Sequence, residues 1–305
     1  MAGTSRTANH TPQRSLYKFA LVPYSKNQYF CSLMNRMPYS IRFFIGMALL
    51  SLMVSCKSQF EKIRTSGDPE LLYKEALNFY QEKEYQKAQT LFELIITSFR
   101  GKKEGEDIYF KYAYTFYYLE DYILATHYFK TFAQTYGVSP LREEAEFMSA
   151  YSNYQLSPTF RLDQEYTLKA IEELENFVTL YPESKRVEEC NRLIDEMRSK
   201  LEQKAYEEGK LYFNIRQYQS AINSFENLLK DFPETDNAEQ VRYMIFRSSF
   251  LRAENSILER RKERYEETQN LITEFLQKYA KSSYRKELES ARDQIVQKIK
   301  QLNNV

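Results

Sequence analysis

The sequence predicts an all-α protein, a solenoid of about five helical hairpins closed by a C-terminal capping helix. Three observations predict this class. The 305 residues contain only 7 glycines and 8 prolines and are rich in helix-forming side chains. A short pattern of tyrosine, alanine and phenylalanine recurs along the chain. The final stretch, KSSYRKELESARDQIVQKIKQLNNV, is polar and amphipathic, which suits a helix that caps a solenoid.

The composition narrows the functional classes. A chain that is 28% charged is too polar for a protein with many membrane spans, and 15% aromatic residues argue against disorder. Residues 1–55 hold six basic side chains and no acid, which leaves 37 basic and 42 acidic side chains, a net charge of −5, from Cys56 onward. Phosphate binding requires a basic face, so we expect no nucleic-acid partner.

A secretory signal layout lies between Met37 and Cys56. One basic residue, Arg42, precedes a continuous apolar stretch of 12 residues at 43–54. This stretch is too short to span the ~30 Å of a bilayer's hydrocarbon core. The alternative is a buried core helix. A helix that is apolar on every face must be surrounded by protein, and the neighbouring sequence offers no segments that could surround it. We therefore expect residues 37–55 to be a signal peptide.

The signal ends in MVSC, which resembles the lipobox of bacterial lipoproteins, with methionine in place of the usual leucine. The resemblance implies that Cys56 becomes the first residue of the mature protein and is acylated on its thiol and its amine. Two or three acyl chains anchor a protein stably where one would be marginal. Residues 1–36 are then expected to be an unstructured upstream extension, and the start at Met1 or Met37 stays open.

Helices are predicted to begin after a lipidated linker over residues 56–67. Asp68-Pro69-Glu70 combines an N-cap, a proline in the first turn and an acid. Three segments, EYQKAQTLF, DYILATHYF and QYQSAINSF, then share one pattern, and LKAIEEL and RYEETQNLI are looser copies. The matching residues are Tyr85, Ala88 and Phe92; Tyr122, Ala125 and Phe129; Tyr218, Ala221 and Phe225; Ala170 and Leu174; and Tyr265, Thr268 and Ile272.

In each of the three clear copies, a small residue lies 12 positions before the alanine. In two copies of the pattern, a proline lies 12 positions after the alanine. Small residues allow two helices to pack closely, and a proline ends the second helix. This is the pattern of tetratricopeptide repeats, whose unit is ~34 residues. The small residues are Ala76, Ala113 and Gly209, and the prolines are Pro182 and Pro233.

The intervals between the repeat alanines exceed the usual unit and reach 51 residues between Ala170 and Ala221. The stretch 187–214 is helical without a break, so extra turns are expected to lengthen one helix to ~42 Å. We divide the repeats into an N-terminal group over 68–183, expected to form a substrate groove, and a C-terminal group over 184–305, expected to dock a partner.

The sequence contains no catalytic or metal-binding motif, so we expect neither an enzyme nor a cofactor. His10 lies in the upstream extension, and His127 lies among aromatics on a repeat helix, where a surface or packing role is expected. Cys190 is expected to be a small buried hydrophobe, because a lone cysteine makes no internal disulfide. Carboxylate pairs such as Glu143-Glu144 and Glu172-Glu173 are expected to be solvated on helix faces.

A peptide-binding groove is predicted on the first helices of the N-terminal hairpins, because the first helix of each pair lines the concave face. Aromatic residues at helical spacing are usually core, but Ala113 and Phe116 already fill the packing positions of their helix. Tyrosine combines apolar area with a hydroxyl that can meet backbone groups of an extended peptide. The groove residues are Tyr73, Tyr80, Phe110, Tyr114, Tyr117, Tyr118, Tyr151 and Tyr154.

A lipoprotein signal followed by such repeats resembles the BamD family, lipoproteins of the machine that assembles β-barrels in the outer membrane. The most specific part is EFMSAYSNYQLSPTFRLDQEYTLKAIEELENFVTLYPES, where a loop with Arg161 and Asp163 interrupts a hairpin before Ala170. The resemblance implies a lipid-anchored periplasmic protein at the outer membrane. Its N-terminal repeats would receive unfolded β-barrel precursors, and its C-terminal repeats, around 237–281, would dock the periplasmic domains of a BamA-type barrel subunit.

Two other readings stay open. One is a different tetratricopeptide lipoprotein of the envelope that scaffolds cell-wall synthesis or division. The other is a glycan-binding lipoprotein of nutrient uptake, although such proteins are usually longer and rich in tryptophan, and this chain has none.

Overall fold

The computed structural model describes residues 59–303. The chain divides between Thr65 and Ser66 into two units. The described part of the first unit holds one short helix, α1 (Gln59–Arg64), in the stretch expected to be linker. Its turn is stabilised locally, since Arg64 donates to the Glu61 carboxylate at 2.7 Å. The predicted signal peptide and Cys56 lie outside the described residues.

The second unit consists of five consecutive helical hairpins and a final helix, which confirms the predicted all-α architecture. Each hairpin packs on the next, and the described residues form no strand. The hairpins are α2 (Pro69–Gln81) with α3 (Tyr85–Ile95), α4 (Lys103–Tyr118) with α5 (Tyr122–Thr135), α6 (Arg142–Leu156) with α7 (Glu165–Leu180), α8 (Val187–Asn214) with α9 (Tyr218–Asp231), and α10 (Ala238–Glu254) with α11 (Leu258–Lys278); α12 (Arg285–Leu302) follows.

The first hairpin begins as the sequence predicts. The Asp68 side chain caps α2 by accepting from the amides of Glu70 at 3.0 Å and Leu71 at 3.4 Å. Pro69 is the first helical residue, where its missing N–H costs nothing because that group would have no partner in the helix.

Three of the hairpins share the same backbone conformation in the turn between their two helices. Lys83, Glu120 and Arg216 have φ of 62°, 62° and 63°, in the left-handed region. Around Lys83, the amide of Glu84 bonds the carbonyl of Phe79 at 2.9 Å, and the amide of Lys83 bonds the carbonyl of Tyr80 at 3.1 Å. This is the Schellman arrangement, which satisfies the free carbonyls at the end of the first helix. The second helix therefore starts immediately and folds back on the first.

Small residues lie at the helix crossings, as the repeat pattern predicts. Ala76, Ala88, Ala113 and Ala125 are all fully buried. In the fourth hairpin the approach is closer still, because a Cβ on Gly209 would lie 2.6 Å from Cε1 of the buried Phe225 ring. The glycine is thus required by the packing of α8 on α9, which confirms its predicted role.

The long intervals between repeats have two structural causes. The hairpin of α6 and α7 is joined by a loop over 157–164, in which the buried Gln164 donates to the carbonyl of Leu162 at 3.0 Å. The helix α8 spans 28 residues, as predicted, and braces this loop, since Lys204 Nζ donates to the same carbonyl at 2.8 Å.

The final helix closes the solenoid. One face of α12 buries Leu288, Ala291 and Ile295 against the last hairpin, in a cluster that includes Phe275 and Tyr265 of α11. Its other positions are mostly polar and solvent-accessible. A helix with one apolar face ends the stack without leaving an open apolar surface, so the predicted capping role is confirmed.

Candidate functional site

Six of the tyrosines predicted to line the groove form a continuous chain of ring contacts across three hairpins. Tyr80 of α2 contacts Tyr118 of α4, with ring centroids 6.2 Å apart, and Tyr118 contacts Tyr117 at 5.7 Å. Tyr117 then contacts Tyr151 of α6 at 6.3 Å, and Tyr151 stacks on Tyr154 at 5.5 Å. We call these residues, with Tyr114, the tyrosine array: Tyr80, Tyr114, Tyr117, Tyr118, Tyr151 and Tyr154.

The array lies at the surface. Tyr118 is 43% exposed, and the other five residues are half-buried. Tyr114 stacks on Tyr118 at 5.6 Å and also packs its ring against the buried Phe129 at 4.9 Å. The array therefore has an inner edge that contacts the core and an outer edge that a ligand can touch.

The other two predicted groove residues are placed differently. Phe110 packs against Phe129 at 6.2 Å and Phe132 at 5.1 Å on α5, and it also contacts the array residue Tyr114 at 5.1 Å. Tyr73 contacts the ring of Phe99 at 5.5 Å, near the start of the solenoid. Both are half-buried.

Tyrosine hydroxyls connect the first helices of successive hairpins. Tyr73 of α2 donates to Asp107 of α4 at 3.5 Å, Tyr114 of α4 to Glu144 of α6 at 2.7 Å, and Tyr154 of α6 to Glu196 of α8 at 2.9 Å. Tyr243 of α10 repeats the bond by donating to Glu287 of α12 at 2.8 Å. These bonds hold neighbouring first helices together along one face and fix the direction of each hydroxyl.

Glu144 connects two residues that are far apart in the chain. It accepts from Tyr114 on one oxygen and from Arg186, which precedes α8, on the other at 2.6 Å. The Arg186 guanidinium also lies 4.0 Å from the centroid of the Phe147 ring. Three elements, α4, α6 and the segment that leads into α8, thus meet at one carboxylate.

The expectation that the paired carboxylates are simply solvated was wrong for three of them. Glu144 carries the bonds just described. Glu143 accepts from Ser184 at 2.6 Å, and Glu173 accepts from Lys130 at 2.9 Å and from Asn153 at 2.9 Å. No local pattern indicates these partners, because they lie 20 to 43 residues away in the chain.

The hydroxyls of Tyr80, Tyr114 and Tyr117 stay protonated over the physiological range. Burial and the neighbouring Tyr151 raise the pKa of Tyr117 to about 12. Burial, followed by the hydrogen bond to Glu144, raises the pKa of Tyr114. Burial and Tyr118 raise the pKa of Tyr80. These hydroxyls are therefore neutral donors whose remaining lone pairs can still accept hydrogen bonds.

Two tyrosines of the repeat pattern that were not predicted to line the groove extend the array. Tyr85, at the start of α3, stacks on Tyr118 with ring centroids 4.3 Å apart. Tyr122, at the start of α5, contacts Tyr117 at 5.6 Å. Both are half-buried repeat tyrosines. Both lie directly after a tight turn and therefore next to the last turn of the first helix. This position could have predicted their contact with the array.

The remaining candidate residues are Cys190 and His127. Cys190 is fully buried, as predicted, and burial raises its thiol pKa to about 11. His127 is exposed and contacts the ring of Tyr128 at 5.2 Å. Within residues 59–303, no three His, Cys, Asp or Glu side chains gather as metal ligands would. No helix in that range has the length and apolar content needed to cross a membrane.

The C-terminal region predicted to dock a partner comprises α10 and α11. Between these helices, Arg242, Glu274 and Lys278 line an open cavity of about 150 Å³ with Ile245 and Leu271. In the described part of the chain, Arg242 Nε is buried and makes no hydrogen bond.

The chain is similar in sequence to a family of outer membrane lipoproteins and to an assembly factor of outer membrane proteins. The family model of YfiO, described as an outer membrane lipoprotein, matches residues 65–256. An outer membrane protein assembly factor BamD from Rickettsia prowazekii (strain Madrid E) is 23% identical over 193 residues, which cover 63% of this chain and 77% of that protein. A solved thermophilic TPR protein from Thermus thermophilus aligns with a TM-score of 0.28 and 15% identity, over 73% of this chain and 98% of its own.

Proposed function

This chain belongs to the YfiO family of outer membrane lipoproteins, and we propose that it is an assembly factor for outer membrane proteins. In this role it is a non-catalytic scaffold on the periplasmic side of the membrane. Its N-terminal hairpins bind unfolded β-barrel precursors, and its C-terminal hairpins dock a BamA-type barrel subunit. The observation that carries the proposal is the tyrosine array on the first three hairpins.

The array suits an unfolded β-strand because of the groups that such a strand presents. An unfolded strand has unpaired backbone N–H groups and aromatic side chains on alternate positions. The array offers ring faces for the aromatic side chains. Glu144, Glu196 and the tyrosine oxygens keep free lone pairs that can accept from the backbone N–H groups. Affinity would thus come from features that all β-barrel precursors share.

Ring contacts keep the array ordered before a ligand arrives. Tyr118 touches Tyr80, Tyr85, Tyr114 and Tyr117, so it loses little rotamer freedom when a peptide binds. Exposed tyrosines with restricted rotamers are typical binding hot spots, each worth about 1–2 kcal/mol.

The test uses the purified protein and a fluorescent peptide from the last strand of an outer-membrane β-barrel protein. Tyr117→Ala and Tyr118→Ala should each raise Kd about tenfold, since about 1.4 kcal/mol is a factor of ten. Tyr166→Ala removes a half-buried tyrosine from α7, outside the array, and serves as the matched control. Unchanged Kd in both array variants would contradict the proposal, and a large fall in Tm in both would make these residues core.

Partner docking is tested separately. Arg242→Ala should weaken capture of the periplasmic domains of a BamA-type subunit, because it removes a charged side chain that lines the open cavity between α10 and α11. Arg292→Ala, on the capping helix, is the control. Co-purification of the barrel subunit and loss of outer-membrane proteins on depletion are the expected results. Normal barrel levels after depletion would instead favour a scaffold of cell-wall synthesis or division.

The lipid anchor is proposed at Cys56. A Cys56→Ala variant should remain uncleaved and take up no labelled fatty acid. Labelling equal to that of the wild type would contradict the anchor.

A further inference from the structure

The turn between α10 and α11 presents two adjacent aliphatic side chains to solvent. Ile257 is 69% exposed and Leu258 is 53% exposed. More than half of each residue's surface therefore remains outside the hairpin. We call residues 255–264 the tip.

The tip is held in a fixed shape by its own hydrogen bonds. Arg261 Nε donates to the carbonyl of Ser256 at 2.9 Å, and Arg264 donates to the hydroxyl of the same serine. Asn255 Nδ2 donates to the carbonyl of Leu251 at 2.7 Å. The two aliphatic side chains are therefore held outward by an ordered turn, and little ordering cost is added when they contact a surface.

Basic side chains outnumber acids in the first turns of α11, directly after the aliphatic pair. The sequence from Ile257 to Arg264, ILERRKER, contains four basic residues and two acids. Arg260 and Lys262 are exposed, Arg260 is paired with Glu263 at 2.8 Å, and the other acid, Glu259, is exposed next to Leu258, so the segment carries a net charge of +2. On the helix, Lys262 lies one turn after Leu258, so its long stem runs beside the aliphatic pair while its charge reaches away.

We propose that the tip inserts Ile257 and Leu258 into the surface of an anionic lipid membrane, with its basic side chains at the headgroups. Exposed aliphatic residues next to an excess of lysine and arginine suit this environment. Without a further anchor, two aliphatic side chains bind a bilayer only weakly. The inference therefore rests on the proposed lipid anchor at Cys56, which raises the local concentration of membrane. It adds a second, C-terminal contact to that anchor.

The chain offers a matched control at the equivalent turn of the preceding hairpin. Ile215 is 55% exposed, between α8 and α9. Its neighbours Asn214, Arg216 and Gln217 provide a single basic side chain. If exposed aliphatic area alone were sufficient, Ile215 would behave as Ile257 does.

The experiment uses the acylated protein in vesicles of phosphatidylglycerol and phosphatidylethanolamine. An environment-sensitive fluorophore is attached through Ile257→Cys or Ile215→Cys, and the buried Cys190 stays unlabelled. At position 257 we expect a blue shift and quenching by lipids brominated on their acyl chains. At position 215 we expect neither. Arg260→Gln and Lys262→Gln should each weaken the contact about fivefold.

The failure of the anchor and the failure of the tip are distinguishable. Loss of co-flotation with vesicles would show that the anchor is absent, and it would also overturn the tip proposal, which depends on the anchor. Co-flotation without quenching at position 257, or equal quenching at both positions, would overturn the tip proposal alone. A blue shift in solution that grows with protein concentration would mean that a second copy covers the tip, and would likewise overturn it.

Discussion

Gly209→Ala tests how closely the fourth hairpin is packed. The added Cβ would lie 2.6, 2.7 and 2.8 Å from three atoms of the Phe225 ring. Carbon atoms pack best at about 3.5–4.0 Å, so the ring or the helix must move by about 1 Å. The Phe225 ring is fully buried, so its movement must displace neighbouring core atoms. Overpacking of this kind costs about 1–3 kcal/mol.

Helix propensity opposes that cost, because alanine is about 1 kcal/mol better than glycine inside a helix. We therefore expect a net destabilisation of up to about 2 kcal/mol, measured by thermal unfolding as a fall in Tm of several degrees. In a Phe225→Leu background the clash is removed, and the same substitution should be neutral or stabilising. Gly137→Ala, at an exposed glycine with nothing within 4 Å of the new Cβ, is the control. A raised Tm for Gly209→Ala in the wild-type background would refute this reasoning.

Three further predictions concern single contacts. Glu144→Gln removes the charge that pairs with Arg186 and should lower the free energy of unfolding by about 1 kcal/mol in urea titrations, whereas an unchanged midpoint would show that the pair is fully screened. Burial acts to raise the pKa of Glu254, but hydrogen bonds from Lys298 and Tyr265 outweigh it and lower that pKa. The stability contributed by this carboxylate is therefore present above about pH 5 and is lost as the pH falls through its pKa in the folded protein. Glu254→Gln should flatten that part of the pH–stability profile. Glu120→Gly relieves a left-handed residue and should raise stability by about 0.5–1 kcal/mol, and a lower Tm would show that the turn is not strained.

The helices could be predicted from the sequence because their signals are local. The span of α8, 187–214, and the start of α2 after Asp68 follow from periodicity and capping residues. The small residues at the crossings follow from spacing within one hairpin. The helix α1 was not expected, because six residues between a proposed anchor and a strong helix start carry little periodic information.

The site could be predicted only in part, because it depends on contacts between hairpins. The array tyrosines lie on the first helices and were identified from their excess over the packing positions. Glu144 and Arg186 were not, since Glu144 lies 30 positions from Tyr114 and 42 positions from Arg186. Phe110, also predicted from its spacing, contacts Tyr114 of the array and the core ring of Phe132 at the same distance, and its spacing within α4 predicts only the first contact.

The two proposed binding regions are joined by α8. Next to its first residue, Arg186 bonds Glu144 and covers Phe147, on the side of the tyrosine array. Near its end, Gly209 packs against Phe225 in the hairpin that leads to α10. The 28 residues between Val187 and Asn214 contain no proline and form one helix of ~42 Å. Because an unbroken helix resists bending, we expect the two proposed binding regions to keep a fixed spacing. In the proposed function, a precursor held on the array would then lie at a set distance from a docked barrel subunit.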